Sequence, residues 1–205
     1  MSAKIDIEQA YDLICDDWQK FRNSTKINKC IVDFCDLITP NGKILDVGCG
    51  TGYPIAQYLV ERNFFVTGID VSQKMIDKAN KLQLPKAIFI KQDILDFSAD
   101  LQYDGVIAFD SIWHIAKEKQ RDIYRKIASL MNYGAYFLFT HGNRNDETIG
   151  TMFNRQFYYS ALAIEELKVI FSEVGLKIVD LIENYKEVST GERDLLVIAQ
   201  KQFSF

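Results

Sequence analysis

Apolar runs alternating with amphipathic stretches, three glycines closing the first run, and a carboxylate closing the second predict an α/β fold with a mostly parallel sheet. The glycines are Gly48, Gly50 and Gly52, directly behind Ile44-Leu45-Asp46-Val47. The carboxylate is Asp70, behind Phe64-Phe65-Val66-Thr67-Gly68-Ile69 and about 20 residues beyond the glycines. Strand, glycine turn, helix and strand in that order make a βαβ unit. Its turn admits a nucleoside close to the backbone, and its acidic residue accepts from ribose hydroxyls.

Each element follows from its own pattern. Ile7, Tyr11, Ile14, Trp18 and Phe21 recur at three- and four-residue steps, predicting an amphipathic helix with an aromatic face. Ile27, Ile31, Phe34 and Leu37 predict a second helix that stops before the turn Pro40-Asn41-Gly42. The helix after the glycines is expected over Thr51 to Arg62, starting directly at the turn with its free N–H groups toward the ligand. Pro54 in its first turn forfeits no helical hydrogen bond. Lys74, Lys78 and Lys81 read as the solvated face of the next helix. Ala87-Ile88-Phe89-Ile90 and Tyr103 to Phe109 are the third and fourth strands. A helix from about Lys117 to Met131 is expected to end at a left-handed Gly134, delivering the fifth strand over Ala135 to Thr140. Residues 141–160 run polar, mixed and then aromatic, and read as an irregular insertion over the substrate. Ser160 is expected to cap a helix carrying Leu167, Ile170 and Phe171 before Gly175. Leu176 to Val179 and Leu195 to Ala199 are the last strands, joined by a connection from Asn184 to Asp194.

The glycine spacing discriminates between ligands. A dinucleotide fingerprint starting at Gly48 requires glycine at position 53, where this chain has Tyr53. Asp46 would repel a pyrophosphate and favour the ammonium and sulfonium of S-adenosylmethionine. Asp46-Val47-Gly48-Cys49-Gly50-Thr51-Gly52 resembles the first motif of the class I S-adenosylmethionine-dependent methyltransferases, in particular small members acting on small molecules. The resemblance implies a Rossmann-like seven-stranded, mostly parallel sheet with helices on both faces and an antiparallel last strand. It implies one domain over 1–205: a helical cap (1–40), a cofactor-binding core (41–140), a substrate-cover insertion (141–160), and a C-terminal helix and strands (161–205). S-adenosylmethionine is then expected against Asp46, Gly48, Cys49, Gly50, Gly52, Asp70 and Val71. Asp93 and Ile94 would serve the adenine, and Phe109 and Asp110 the methionine end.

The acceptor side is read more thinly. In similar enzymes the leading helices lie over the cofactor cleft, so Tyr11 and Trp18 would wall the methyl-transfer chamber, with Trp113, His141, Tyr158 and Tyr159 as further pocket candidates. Adjacent tyrosines on an extended segment point oppositely, so at most one of Tyr158 and Tyr159 faces the pocket. His114, at the exit of the fourth strand, is the candidate general base, because an imidazole titrates near pH 6.5. Asp110-Ser111-Ile112-Trp113 carries neither the Asn/Asp-Pro-Pro-Tyr/Phe nor the Pro-Cys pattern of nucleobase methyltransferases. A net charge of −4 and a pI near 5.3 offer phosphates little attraction, arguing against nucleic acid. The expected activity is methyl transfer to an oxygen or nitrogen of a small molecule. The alternatives are an S-adenosylmethionine sensor or non-catalytic subunit, and a methyltransferase acting on protein or RNA. Four cysteines without a C-x-x-C pair and two histidines predict reduced thiols and no metal site. The absence of a leader pattern or a run of roughly 18 apolar residues predicts a cytoplasmic protein without a membrane contact.

Overall fold

In the computed structural model, which describes residues 5–187 and 191–203, the chain begins with two helices, α1 (Ile7–Asn23) and α2 (Lys29–Cys35). Asp6 caps α1 by accepting from the Gln9 amide at 3.0 Å. There follow β1 (Lys43–Val47), α3 (Ile55–Glu61), β2 (Phe65–Asp70), α4 (Gln73–Lys81), β3 (Ala87–Lys91) and β4 (Tyr103–Ala108). Two short 3-10 turns lead into α5 (Gln120–Leu130) and β5 (Met131–His141). A hairpin, β6 (Glu147–Met152) and β7 (Arg155–Ser160), precedes α6 (Ile164–Glu173), β8 (Leu176–Glu187) and β9 (Gly191–Lys201).

The main sheet has seven strands in the order β3-β2-β1-β4-β5-β9-β8, with β9 antiparallel to both neighbours and the other pairs parallel. The expected Rossmann-like architecture is therefore the observed one. Strand order reverses between β1 and β4, and such a switch point opens a crevice at the strands' carboxyl ends. Because side chains alternate across a strand, the central strands are buried on both faces. Leu45, Val47, Val106 and Ala108 pack with Tyr124, Ile127, Ile170 and Phe171 of α5 and α6. Ile44 and Ile107 pack on the other face with Ile31 and Phe34 of α2 and Ala56 and Leu59 of α3. A third cluster joins Ala10 and Ile14 of α1 to Phe157 of β7, with Tyr11, Trp18 and Tyr159 alongside, roofing the crevice.

Several elements differ from expectation. The helix after the glycines starts at Ile55 rather than Thr51, because Gly50 and Gly52 sit at φ +54° and +74°, which a right-handed helix cannot include. Gly134 does not end a helix: α5 stops at Leu130, and β5 begins at Met131. Gly134, at φ +82°, lies in a bulge where pairing slips from Tyr103↔Met131 to Gly105↔Tyr136. Residues 147–160 are a regular two-stranded hairpin rather than an irregular insertion. Phe153 and Asn154 at φ +48° and +59° make its tight turn. β8 and β9 extend through most of the expected 184–194 connection, pairing Tyr185↔Arg193 and Glu187↔Gly191, while 188–190 lie outside the described residues.

Candidate active site

The crevice at the switch point has a volume of about 1650 Å³. Its floor is the glycine turn. The amides of Gly48 and Cys49 both donate to the Ile69 carbonyl, at 2.8 and 3.0 Å, which stitches the turn to the end of β2. Gly48 is at φ +76°, and a Cβ there would stand 2.3 Å from Cβ of Ser111, whose hydroxyl donates to the Val47 carbonyl at 2.6 Å. No side chain fits at position 48.

Two carboxylates flank the turn. Asp70 accepts from the Gly50 amide at 2.9 Å and the Ser72 amide at 2.8 Å. Burial raises its pKa to about 6, against the lowering effect of those amides. Asp46 is more isolated: it is buried, and its Oδ2 has no hydrogen-bond partner among the described residues. Burial first and the neighbouring Asp70 charge second push its pKa up to about 7, with Arg22 opposing. A buried carboxylate left this way calls for a cationic donor. The donor set therefore fits an ammonium at Asp46 and hydroxyls at Asp70, with glycine backbone between them, and does not fit a pyrophosphate.

Val71, Asp93, Ile94, Phe109 and Asp110 line the same crevice, as the sequence reading places them. Asp93 is held by the Leu95 amide at 2.8 Å. The Asp110 side chain is not free for a ligand: Arg193 clamps it through Nε at 2.9 Å and again through Nη2, and the Thr140 hydroxyl adds 3.1 Å. Asp110 sits at φ +58°, and its amide donates to Thr140 Oγ1 at 2.8 Å. Asp46, Cys49 and Gly52 do not line the crevice: Asp46 is buried behind the glycine turn. The Cys49 sulfur turns toward Gly68, where an added Cβ would meet it at 2.9 Å, and Gly52 backs onto Leu82 and Phe89.

The acceptor side centres on His114, which is buried in the roof. Its Nδ1 lies 2.8 Å from the Tyr158 carbonyl, which can only accept, so Nδ1 carries the proton. Nε2 is thus the acceptor, taking the Tyr11 hydroxyl at 2.8 Å and the Trp113 indole N–H at 3.1 Å. Burial lowers the imidazole pKa to about 4 and raises that of Tyr11. Tyr11, Trp18, His114 and Tyr158 line the crevice. Trp113 and Tyr159 do not: they pack around the imidazole, with the Tyr159 ring tilted by 51° at a centroid distance of 4.7 Å. His141 is displaced altogether. It follows Phe137 and Phe139 on one face of β5 and packs against Phe139 and Tyr124 in the core, away from the crevice.

Sequence reasoning missed two buried arginines. Arg193 shares the alternation of buried positions 193, 195, 197 and 199 on β9. Arg22 continues the α1 stripe one turn beyond Trp18, whose ring lies 5.8 Å from its guanidinium. In both cases the period was visible, but the charge masked it. Among the described residues no cluster of three metal-ligating side chains occurs, and no helix is long and apolar enough to cross a membrane.

Fold and site together define an α/β protein with a crevice at the switch point of its sheet, floored by a glycine turn with Asp70 at its edge and Asp46 buried behind it. Residues 44–134 match the family model of the methyltransferase domain. An O-methyltransferase of Pyrenophora dematioidea is 26% identical over 71% of this chain and 58% of its own length. The ubiquinone biosynthesis O-methyltransferase of Coxiella burnetii is 34% identical over 53% of this chain and 47% of its own. The chain thus spans about half the length of these curated relatives. The magnesium protoporphyrin IX methyltransferase of Synechocystis PCC 6803, solved with bound S-adenosylmethionine, superimposes with a TM-score of 0.73 at 17% identity, covering 98% of this chain and 100% of that one. A Methanosarcina mazei S-adenosylmethionine-dependent methyltransferase gives 0.72 at 18%, covering 87% and 100%. Residues 44–134 are thus similar to a methyltransferase domain, and the fold is one shared with solved S-adenosylmethionine-dependent methyltransferases.

Proposed function

We propose that this protein is an enzyme that transfers a methyl group from S-adenosylmethionine to an oxygen or nitrogen of a small-molecule acceptor. The observation that carries the reading is the unpartnered Asp46 carboxylate buried behind the glycine turn, with Asp70 across it. Several relatives are named as O-methyltransferases, which supports an oxygen acceptor first. The acidic chain and its roofed crevice favour a small acceptor over nucleic acid, in a cytoplasmic setting. In this reading α1 with the hairpin forms the cover, whereas α2, expected in the helical cap, packs on the sheet and joins 41–140 and the C-terminal strands in the cofactor-binding body.

Bound S-adenosylmethionine supplies an electrophilic methyl group on a sulfonium. The chain's own residues do the rest. Asp70 orients the ribose, Asp93 and Ile94 the adenine, and Asp46 the ammonium. Tyr11, Trp18 and the hairpin exclude water and position the acceptor, which is where much of the rate arises. An acceptor X–H gives its proton to Tyr11 Oη as Tyr11 passes its own to His114 Nε2. The neutral Nδ1–H tautomer leaves Nε2 open to that proton, but burial holds the imidazole pKa at about 4, below the 6.5 expected of a free histidine, so His114 carries the proton only in passing and it goes on to solvent.

Calorimetry is expected to show binding of S-adenosylhomocysteine and none of NAD. With methyl-labelled S-adenosylmethionine and a small-molecule extract, label is expected in extractable products. Tyr11→Phe and His114→Ala should lower that transfer by roughly 10²–10⁴-fold with cofactor affinity unchanged. Label confined to protein or RNA would overturn the small-molecule reading, and cofactor binding without any transfer would favour a sensor.

A further inference from the structure

Gln120 is the first residue of α5, and its side chain is fully buried. Its carboxamide nitrogen donates to the Ile112 carbonyl at 3.1 Å, to the Ser160 hydroxyl at 3.1 Å and, more weakly, to the Ile115 carbonyl at 3.5 Å. Carbonyls only accept, so the amide is fixed with its nitrogen toward them. Its oxygen is then buried with no hydrogen-bond partner among the described residues. Neither carbonyl needs Gln120 for its own satisfaction: Ile112 accepts from the Ile115 amide at 3.3 Å, and Ile115 accepts from the Ser160 hydroxyl at 2.6 Å. A methionine of similar shape would therefore orphan neither carbonyl and would remove one unmet polar atom. Stability alone does not account for a buried glutamine at this place.

Placement of His114 does. Ile112 opens the 3-10 turn Ile112–His114 that carries the imidazole, and Ile115 follows it. Ser160 lies two residues beyond Tyr158 on β7, and the Tyr158 carbonyl takes the Nδ1–H of that imidazole at 2.8 Å. One carboxamide thus ties the turn that carries the ring to the strand that orients it. We propose that Gln120 is a positioning residue for methyl transfer, which keeps Nδ1–H on the Tyr158 carbonyl and Nε2 turned to the Tyr11 hydroxyl. The inference rests on the Tyr11–His114 step described above. The hydrogen bond at one ring nitrogen sets the protonation of the other, so an imidazole that drifts from the carbonyl also populates the tautomer protonated at Nε2. That tautomer cannot take the Tyr11 proton.

The chain has two histidines and two tryptophans, so each reporter has a control in the same molecule. Trp113, on the turn, donates its indole N–H to His114 Nε2 at 3.1 Å, whereas His141 is held separately by the Gly142 carbonyl at 2.7 Å. Nitrogen-15 NMR of Gln120→Met is expected to show the His114 ring shifted from a single Nδ1–H tautomer toward a mixture, with the Trp113 indole resonance displaced. The His141 and Trp18 signals, the urea midpoint and the affinity for S-adenosylhomocysteine should stay at their wild-type values. Transfer of labelled methyl into the small-molecule extract should fall roughly 10- to 100-fold, the scale of a misplaced reacting group. Ser160→Ala cuts the same tie from the strand side and should move the same signals. His114 signals unmoved in both variants, or moved together with those of His141, overturn the positioning role, as does a displaced imidazole with undiminished transfer. A wild type that binds no S-adenosylhomocysteine, or binds it and transfers no label, overturns instead the reading on which the proposal rests.

Discussion

Asp70 lines the crevice and Asp46 is buried behind its glycine turn, so their partners differ, and so do their expected responses. Asp70 is organised by two backbone amides and offers its remaining lone pairs to the crevice. Asp70→Ala should weaken S-adenosylhomocysteine by roughly 1.5–3 kcal/mol, the range for hydrogen bonds to a charged group, and unaltered affinity in calorimetry would remove Asp70 from the site. Asp46 is present as the anion only above its raised pKa of about 7, and Asp70 above about 6. The ligand needs both anions, so affinity should fall steadily as the pH is lowered from about 8 to about 5.5, and a flat calorimetric profile would contradict the assignment. At this scale the sequence was legible where spacing carried the chemistry, as at Asp46, Gly48, Asp70 and Asp93. It was not legible at Arg22, because a cation on a helix reads as solvated until tertiary contacts show otherwise. Nor was it legible at His141, where the parity of β5, rather than nearness to the strand end, decides which face the ring takes.

Among the elements, the β6–β7 hairpin depends most on its surroundings, since an isolated two-stranded hairpin is marginal in water. Phe157, fully buried, is its anchor: the ring packs 5.0 Å from Tyr11 and 5.5 Å from His114. Phe→Ala in a packed core typically loses about 3–5 kcal/mol, but here the loss falls on a satellite cluster rather than on the main sheet. Phe157→Ala is therefore expected to speed hydrogen exchange in residues 147–160 and along α1, leaving β1, β2 and β4 protected and methylthioadenosine binding intact. Uniform loss of protection across the sheet would show that the roof is instead part of the core. The hairpin escaped the sequence reading because Phe153-Asn154 lacks the Asn-Gly or Asp-Gly signature of a tight turn. The central strands were legible because burial on both faces leaves continuous apolar runs. The boundaries of α3, β5 and β8 were not, since positive-φ glycines and a bulge fix them locally.

Across the whole molecule, buried titratable groups of opposite sense oppose each other. Asp46 and Asp70 have folded pKa values of about 7 and about 6, above the ~3.9 of an unfolded aspartate. Between those limits the folded state holds more protons than the unfolded chain, so stability rises as the pH falls. His114, lowered to about 4, and His141, also lowered by burial, act the other way below the ~6.5 of an unfolded histidine. There the unfolded chain holds more protons, and stability falls with falling pH. From about pH 8 to about 6.5 the carboxylates act alone, so the unliganded protein should gain stability on mild acidification and stop gaining once the histidines of the unfolded chain begin to protonate. Asp46→Asn isolates the first arm. At pH ~8 it removes a buried unmet charge while keeping the shape, and should stabilise the unliganded protein on the order of 1–3 kcal/mol while weakening S-adenosylhomocysteine. Urea denaturation of both proteins at about pH 8 and about pH 6.5 reads this directly, since the gap between them should narrow on acidification as the wild-type carboxyl takes up its proton. A variant less stable than the wild type at the higher pH would mean that the protein itself satisfies Asp46, and that the crevice is not built around a carboxylate waiting for a cation.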